Sequence, residues 1–322
     1  MGTRSTKIIR TFTSDWGESL EEVACPTCAA SDATLLLESR DPLYGQPGRY
    51  RLVRCNACAL VYVNPRPTPD ALGIHYPDDY LCYQAPEDGP ALFRKMSEAS
   101  ARDWSRKRLA RLERVVGRLQ PAAAIADVGC GLNDLLHMIK LERGVIGTGI
   151  DIKERMVKRI RERLGMPAVQ GSLSDARFED GQLDLLMMIE YLEHEPDPAG
   201  LLAESRRVLK SGGHLAVEIP HFTGAPAKLF KSRWSNLDLP RHLVLFEPET
   251  LRRTFADHGF ELVSYQPFTM PLHFGISLVF MLGGFGLGRN PFAPWFAAAL
   301  GCPFVPFMRW LPEFAFAVGR AV

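Results

Sequence analysis

From Ala122 onward the chain alternates short apolar runs with amphipathic stretches, and this alternation constrains the fold more than any other feature. AIADVG precedes NDLLHMIKLERG, VIGTGID precedes KERMVKRIRERLG, and LDLLMMIE precedes EHEPDPAGLLAESRRVLKSGG, with PAVQG and HLAVEIP as further apolar runs. Strands separated by helices predict a parallel sheet buried on both faces, because each crossover helix covers the sheet it has just left. The expected core is therefore a doubly wound α/β domain over residues 121–268.

The first strand runs into Asp127, Gly129, Cys130, Gly131, Asn133 and Asp134, the layout of a nucleotide-binding strand, loop and helix. A dinucleotide fingerprint would place its third glycine at position 134, against the pyrophosphate. Here that position is a carboxylate, and Asp127 adds a second, so a pyrophosphate would be repelled. Gly129 and Gly131 still let a ligand approach the backbone. Asp151, 20 residues beyond Gly131 at the end of the second strand, suits the two ribose hydroxyls. The combination predicts a nucleoside that carries positive charge and no phosphate.

Ahead of the core stand two C-x-x-C pairs, Cys25 and Cys28 in CPTC and Cys55 and Cys58 in CNAC. Four thiolates at this spacing predict a closed tetrahedral site for structural zinc. ATLLLESR and YRLVRC, joined by DPLYGQPG, read as the hairpin of a zinc ribbon over residues 20–65. Residues 66–120 read as a linker and helical cap. The linker holds HYPDDYLCYQ, and the cap is a helix with Leu109, Leu112, Val115, Val116 and Leu119 on one face. Its basic opposite face is expected to be solvated. With a net charge of +1 and no basic-aromatic cluster, nucleic acid is disfavoured as a partner. The N-terminus lacks a signal-like apolar stretch, so a cytoplasmic location is expected.

Residues 269–312 are nearly free of charge and dense in Gly, Pro and aromatics. They predict an apolar helical hairpin, with three readings open: a core lid or dimer contact, peripheral contact with the cytoplasmic membrane, or a membrane span. Residues 313–322 predict a last strand beside ELVSYQPF. The oligomeric state stays open.

DVGCGLN, GID, VQGSL and DLLMMIEYLEHEPDPAGLLAESRRVLKSGGHLAVEIP together resemble the class I S-adenosylmethionine-dependent methyltransferases over about residues 120–268. With the cysteine pairs ahead of them, they resemble the zinc-ribbon subgroup that includes sugar C-methyltransferases. The resemblance implies a seven-stranded, mostly parallel Rossmann-like sheet with S-adenosylmethionine as cofactor. It assigns Asp127, Gly129, Cys130 and Gly131 to the methionine half and Asp151 with Ile152 to the ribose side. Ser172 and Leu173 stand where the family often has an acid near adenine. Glu190 ends the fourth strand, and Tyr76 and Tyr80 resemble tyrosines that close over the cofactor. Asn133 stands at the family's usual third glycine.

Methyl transfer needs positioning and, for some acceptors, a base. His242, in NLDLPRHLVLFEPETL, resembles a substrate-facing histidine and is the first candidate, followed by His221 and His194. Each has a structural alternative, such as bracing the next helix. IEYLEH replaces the Asn/Asp-Pro-Pro-aromatic pattern of base N-methyltransferases, so the expected acceptor is a small molecule or a lipid- or sugar-linked one. The alternatives are an RNA or DNA methyltransferase and a non-catalytic scaffold.

Overall fold

Short antiparallel strands around the two cysteine pairs open the chain: β1 (Ile8–Thr13), β2 (Ser19–Val23), β3 (Ala33–Ser39), β4 (Tyr50–Cys55), β5 (Val61–Val63) and β6 (Arg66–Pro67). The structure is a computed structural model describing residues 6–77, 80, 91–132, 134–284, 286, 293–304 and 310–322. Cys82, Asn133 and much of HYPDDYLCYQ lie outside the described residues, as do 287–292 and 305–309 of the apolar segment. Helices α1 (Pro69–Leu72) and α2 (Ala91–Val116) lead to the alternating region: β7 (Ile125–Val128), α3 (Asp134–Arg143), β8 (Thr148–Asp151), α4 (Glu154–Arg163), β9 (Ala168–Gln170), β10 (Leu183–Ile189), α5 (Pro198–Val208) and β11 (Leu209–Pro220). The remainder is α6 (Ala225–Phe230), β12 (Val244–Leu245), α7 (Pro248–Asp257), β13 (Phe260–Phe268), α8 (Pro271–Met281), α9 (Ala293–Gly301) and β14 (Phe314–Ala321).

Seven strands form the main sheet in the order β13-β14-β11-β10-β7-β8-β9. β11, β10, β7, β8 and β9 run parallel, and β14 inserts antiparallel between β11 and β13. The run Leu185, Leu186, Met187 and Met188 in β10 is buried throughout, as a strand covered on both faces requires. This is the doubly wound, mostly parallel architecture expected from the alternation.

The N-terminal strands are not an appended bead. β12, far downstream, pairs with β5 to complete a second sheet of order β12-β5-β4-β3. Val53, Leu60 and Tyr62 share one buried cluster with Val244, Phe246 and Leu251. Pairing also begins upstream of residue 20, because β1 joins β2. A two-residue strand such as β12 carries no periodicity, so the sequence offered no sign of this join.

Helix α2 buries Leu109 and Leu112 in a cluster with Leu135, Leu136 and Ile139 of α3, and it stops before Gly117, whose φ of 78° ends the helix. Helices α8 and α9 pack against each other so closely that a Cβ on Gly275 would lie 1.7 Å from the Ala297 carbonyl oxygen. With 11 and 9 residues, they are about 16 and 14 Å long, against roughly 30 Å of bilayer hydrocarbon. Among the described residues no helix is long and apolar enough to cross a membrane. Gly275→Val should force α8 and α9 apart and lower stability by about 1–3 kcal/mol. A denaturant midpoint equal to that of the parent would contradict this packing.

Candidate functional site

Where β7 and β10 lie side by side, the chain continues in opposite directions across the sheet, which opens a crevice at their C-terminal ends. A cavity of about 680 Å³ occupies it. Tyr76, Tyr80, Asp127, Gly129, Cys130, Gly131, Asp151, Ile152, Glu190, His194 and His242 all line this cavity. The loops after β7, β8 and β10, joined by the segments holding Tyr76 and His242, thus bring together residues spread over more than 150 positions.

One end is charged. Gly129 has φ 66°, and a Cβ there would sit 2.0 Å from Cδ2 of Tyr191, so only glycine permits this turn. Asp151 is held by two backbone donors: its Oδ2 accepts from Gly131 N–H at 2.8 Å and its Oδ1 from Lys153 N–H at 2.8 Å. Asp127 is 3% exposed, and its Oδ1 has no hydrogen-bond partner among the described residues. Burial pushes its carboxyl up to about 8; nearby Arg108 opposes the rise and Asp151 adds to it. A buried carboxyl with one oxygen unpartnered among the described residues, beside a glycine turn, fits a cationic group.

Arg108 reaches into this end from α2. Its Nη2 donates to Glu190 at 2.5 Å, and its Nε donates to Glu218 at 3.0 Å. Burial raises the pKa of Glu218, which is fully enclosed at the cavity end of β11, and Arg108 offsets that rise. Arg108 departs from the expected solvated basic face. Nothing in the sequence distinguishes it from exposed Arg106 and Lys107, whereas Glu218, the single acid in HLAVEIP, was a readable signal.

The other end combines histidines with apolar walls from Leu43, Leu72, Ile276, Phe280 and Phe314. His242 Nδ1 lies 2.8 Å from the Asn236 carbonyl oxygen, which can only accept, so the proton sits on Nδ1 and Nε2 keeps its lone pair. His194 Nδ1 lies 3.0 Å from the Arg241 carbonyl and 2.9 Å from the Tyr76 hydroxyl, and the two imidazole centroids are 4.6 Å apart. Burial, then neighbouring His242, pushes His194 down to about 3. Arg241 is wholly buried; its Nη1 and Nη2 each reach Asp41 at 2.8 Å and its Nη2 reaches Asp238 at 2.6 Å. Asp41 follows β3, so the N-terminal sheet braces the histidine loop directly.

Three expected site residues lie elsewhere. His221 does not line the cavity: its N–H continues the strand pairing to Glu313 O at 2.7 Å, and its Nδ1 meets the Tyr265 hydroxyl at 2.7 Å. Ser172 turns away because its N–H and Oγ both donate to Asp175 Oδ2, at 2.8 and 2.7 Å. Leu173 is 1% exposed and packs into the core cluster.

The four cysteines converge. Cys25 and Cys58 sulfurs are 3.5 Å apart, as are those of Cys28 and Cys55, close to the roughly 3.8 Å edge of a tetrahedron with metal–sulfur bonds of about 2.3 Å. Each pair ends in a matching turn: Ala29 (φ 60°) donates to Cys25 O at 2.9 Å, and Ala59 (φ 64°) to Cys55 O at 3.0 Å. Two equivalent knuckles facing each other fit one metal ion.

Residues 126–217 match the family described as "Methyltransferase domain". The sarcosine/dimethylglycine N-methyltransferase of Halorhodospira halochloris is 25% identical over 183 residues, covering 54% of this chain and 64% of that protein. The ubiquinone biosynthesis O-methyltransferase of Xanthomonas axonopodis pv. citri (strain 306) is 37% identical over 112 residues, covering 33% of this chain and 46% of the relative. The chain thus spans less than two thirds of either curated relative. Among solved structures, the [4+2]-cyclase SpnF has the same fold, with a TM-score of 0.51 and 20% identity over 80% of this chain and 97% of its own. Residues 126–217 thus form a methyltransferase domain, and the sheet order is that of the Rossmann-like fold of the class I S-adenosylmethionine-dependent methyltransferases.

Proposed function

We propose that the chain methylates a small-molecule acceptor with a large apolar part, such as a quinone, a lipid or a lipid-linked sugar, using S-adenosylmethionine. The observation that carries this reading is the single cavity with one charged end and one apolar, histidine-bearing end. The ubiquinone-pathway relative supports an acceptor of this class. Bound S-adenosylmethionine supplies a methyl group already activated by a sulfonium. The chain's own residues then orient the partners and take up a proton. Asp151 holds the ribose hydroxyls, Asp127 the ammonium, and Gly129 and Gly131 allow close backbone approach, with Cys130 and Ile152 beside them. Arg108 fixes Glu190 beneath. Tyr76 and Tyr80 close the wall, and His242 Nε2 is the proton acceptor, with His194 beside it. Cys25, Cys28, Cys55 and Cys58 hold a structural zinc.

The Asp127 carboxyl gives this reading a pH signature. Its ordinary value of 3.8 is raised to about 8 in the fold. The native state therefore holds a proton that the unfolded chain has lost, and this group's contribution to stability declines as pH rises through about 8. A cation placed beside Asp127 displaces that proton. Affinity for S-adenosylmethionine should rise by up to about tenfold per pH unit toward pH 8 and then level off. Calorimetry in buffers of different ionisation enthalpy should detect a proton released on binding, and Asp127→Asn should abolish the release. Identical heats in all buffers would refute the role of Asp127.

The cyclase likeness means that transfer itself has to be measured. Labelled methyl groups from S-adenosylmethionine, offered with cell extract separated by polarity, should enter apolar small molecules. Label confined to nucleic acid, or no incorporation in any fraction, would reject the proposed acceptor class.

A further inference from the structure

We infer that Glu193, His194 and His242 form a second metal site, for a divalent first-row transition ion, at the acceptor end of the cavity. A donor atom from each of the three residues lies within 4.8 Å of the others. Nitrogen and oxygen ligands at about 2.0–2.2 Å from one ion stand roughly 2.8–3.6 Å apart in octahedral or tetrahedral geometry, so side-chain rotations that bring the donors about 1–2 Å closer close the site. Two imidazoles and one carboxylate form a donor set suited to zinc, manganese, iron or cobalt.

Two independent features point to a ligand. Glu193 is 1% exposed, and neither carboxylate oxygen has a hydrogen-bond partner among the described residues. A buried carboxylate in that condition is costly unless it is matched by a cation or a proton. The nearby guanidinium groups are committed elsewhere, Arg108 to Glu190 and Glu218 and Arg241 to Asp41 and Asp238. The second feature is the setting of the imidazoles. Nδ1 of His242 faces the Asn236 carbonyl and Nδ1 of His194 the Arg241 carbonyl, at 2.8 and 3.0 Å. Metal-ligating histidines are oriented in this way by backbone acceptors, which leave the second nitrogen for the ion. A protonated glutamic acid bonded to an imidazole would be the simpler arrangement, but no such bond is found among the described residues.

This site differs in kind from the cysteine cluster. Four sulfurs close the cysteine site, whereas three ligands leave coordination positions open, and two of the three, His194 and His242, line the cavity. An ion there would polarise an acceptor oxygen, taking over the role otherwise given to the free His242 nitrogen. The inference rests on reading that end as the acceptor end; the ion's binding is measurable without any acceptor.

The test uses the full chain with its cysteine cluster filled with zinc, titrated with Co²⁺ by calorimetry and visible absorption. One further Co²⁺ per chain is expected, with a d–d spectrum that lacks thiolate charge transfer. Glu193→Gln and His242→Gln should each weaken it by more than about 100-fold, beyond the loss typical for an outer partner of a metal ligand. His221→Gln, outside the cavity, should leave it unchanged. Absence of an additional ion in the unmodified chain, a thiolate spectrum, or undiminished binding in either cluster variant would overturn the inference. Parallel titration with S-adenosylmethionine separates the two readings: cobalt bound without cofactor affinity would sink the methyltransferase reading alone, and cofactor bound without cobalt would sink the metal site alone.

Discussion

Asp151→Ala is expected to lose most of its affinity for S-adenosylmethionine while staying folded. The carboxylate stands at the end of β8, fixed by the Gly131 and Lys153 amides, and faces the cavity. Hydrogen bonds to a charged group contribute about 1.5–3 kcal/mol each, so removing the carboxylate proposed to hold the two ribose hydroxyls should weaken binding by at least about 100-fold. Gly131 N–H also loses its acceptor, so the loop relaxes as well. Burial raises the pKa of Asp151, which means its charge is not what stabilises the empty fold. Calorimetric titration beside a thermal melt separates the two effects. An affinity within a few-fold of the parent would remove Asp151 from the site.

Replacing Cys55 and Cys58 together with serine should release the metal and destabilise the whole chain. Structural zinc contributes on the order of 10–16 kcal/mol in isolated zinc-finger peptides, and a chain of this size shifts by about 1.5 °C per kcal/mol. Transmission of about half of that contribution predicts a midpoint lowered by more than about 5 °C. The loss should reach the cavity because β5 pairs with β12 and because Asp41 clamps Arg241, whose carbonyl faces His194. Methyl transfer should therefore fall more than cofactor affinity. Metal analysis giving the same zinc content in parent and variant, or coincident melts, would contradict this account.

The strand and helix alternation, the glycine loop, Asp127, Asp151 and the paired cysteines were legible because local chemistry dictates each of them. Glycine at 129 answers a positive φ and the Tyr191 ring, and the C-x-x-C spacing answers the knuckle turns at Ala29 and Ala59. What stayed hidden depends on distant parts of the chain meeting. Arg108 looks like any surface cation until α2 crosses the sheet and Glu218 meets it. Glu193 reads as an ordinary acid beside a histidine, and only the approach of His242 gives it neighbours of consequence. Ser172 and Leu173 stay off the cavity wall because Asp175, three residues beyond Ser172, captures that turn. His221 stays off it because strand pairing continues one residue past Pro220.

The central claim is that this cavity takes a cationic, phosphate-free nucleoside cofactor. Calorimetric titration of the full chain near pH 8 with S-adenosylmethionine and, in parallel, NAD⁺ tests it most directly. The account predicts one S-adenosylmethionine per chain and no heat from NAD⁺. Saturable binding of NAD⁺, with none of S-adenosylmethionine, would contradict it.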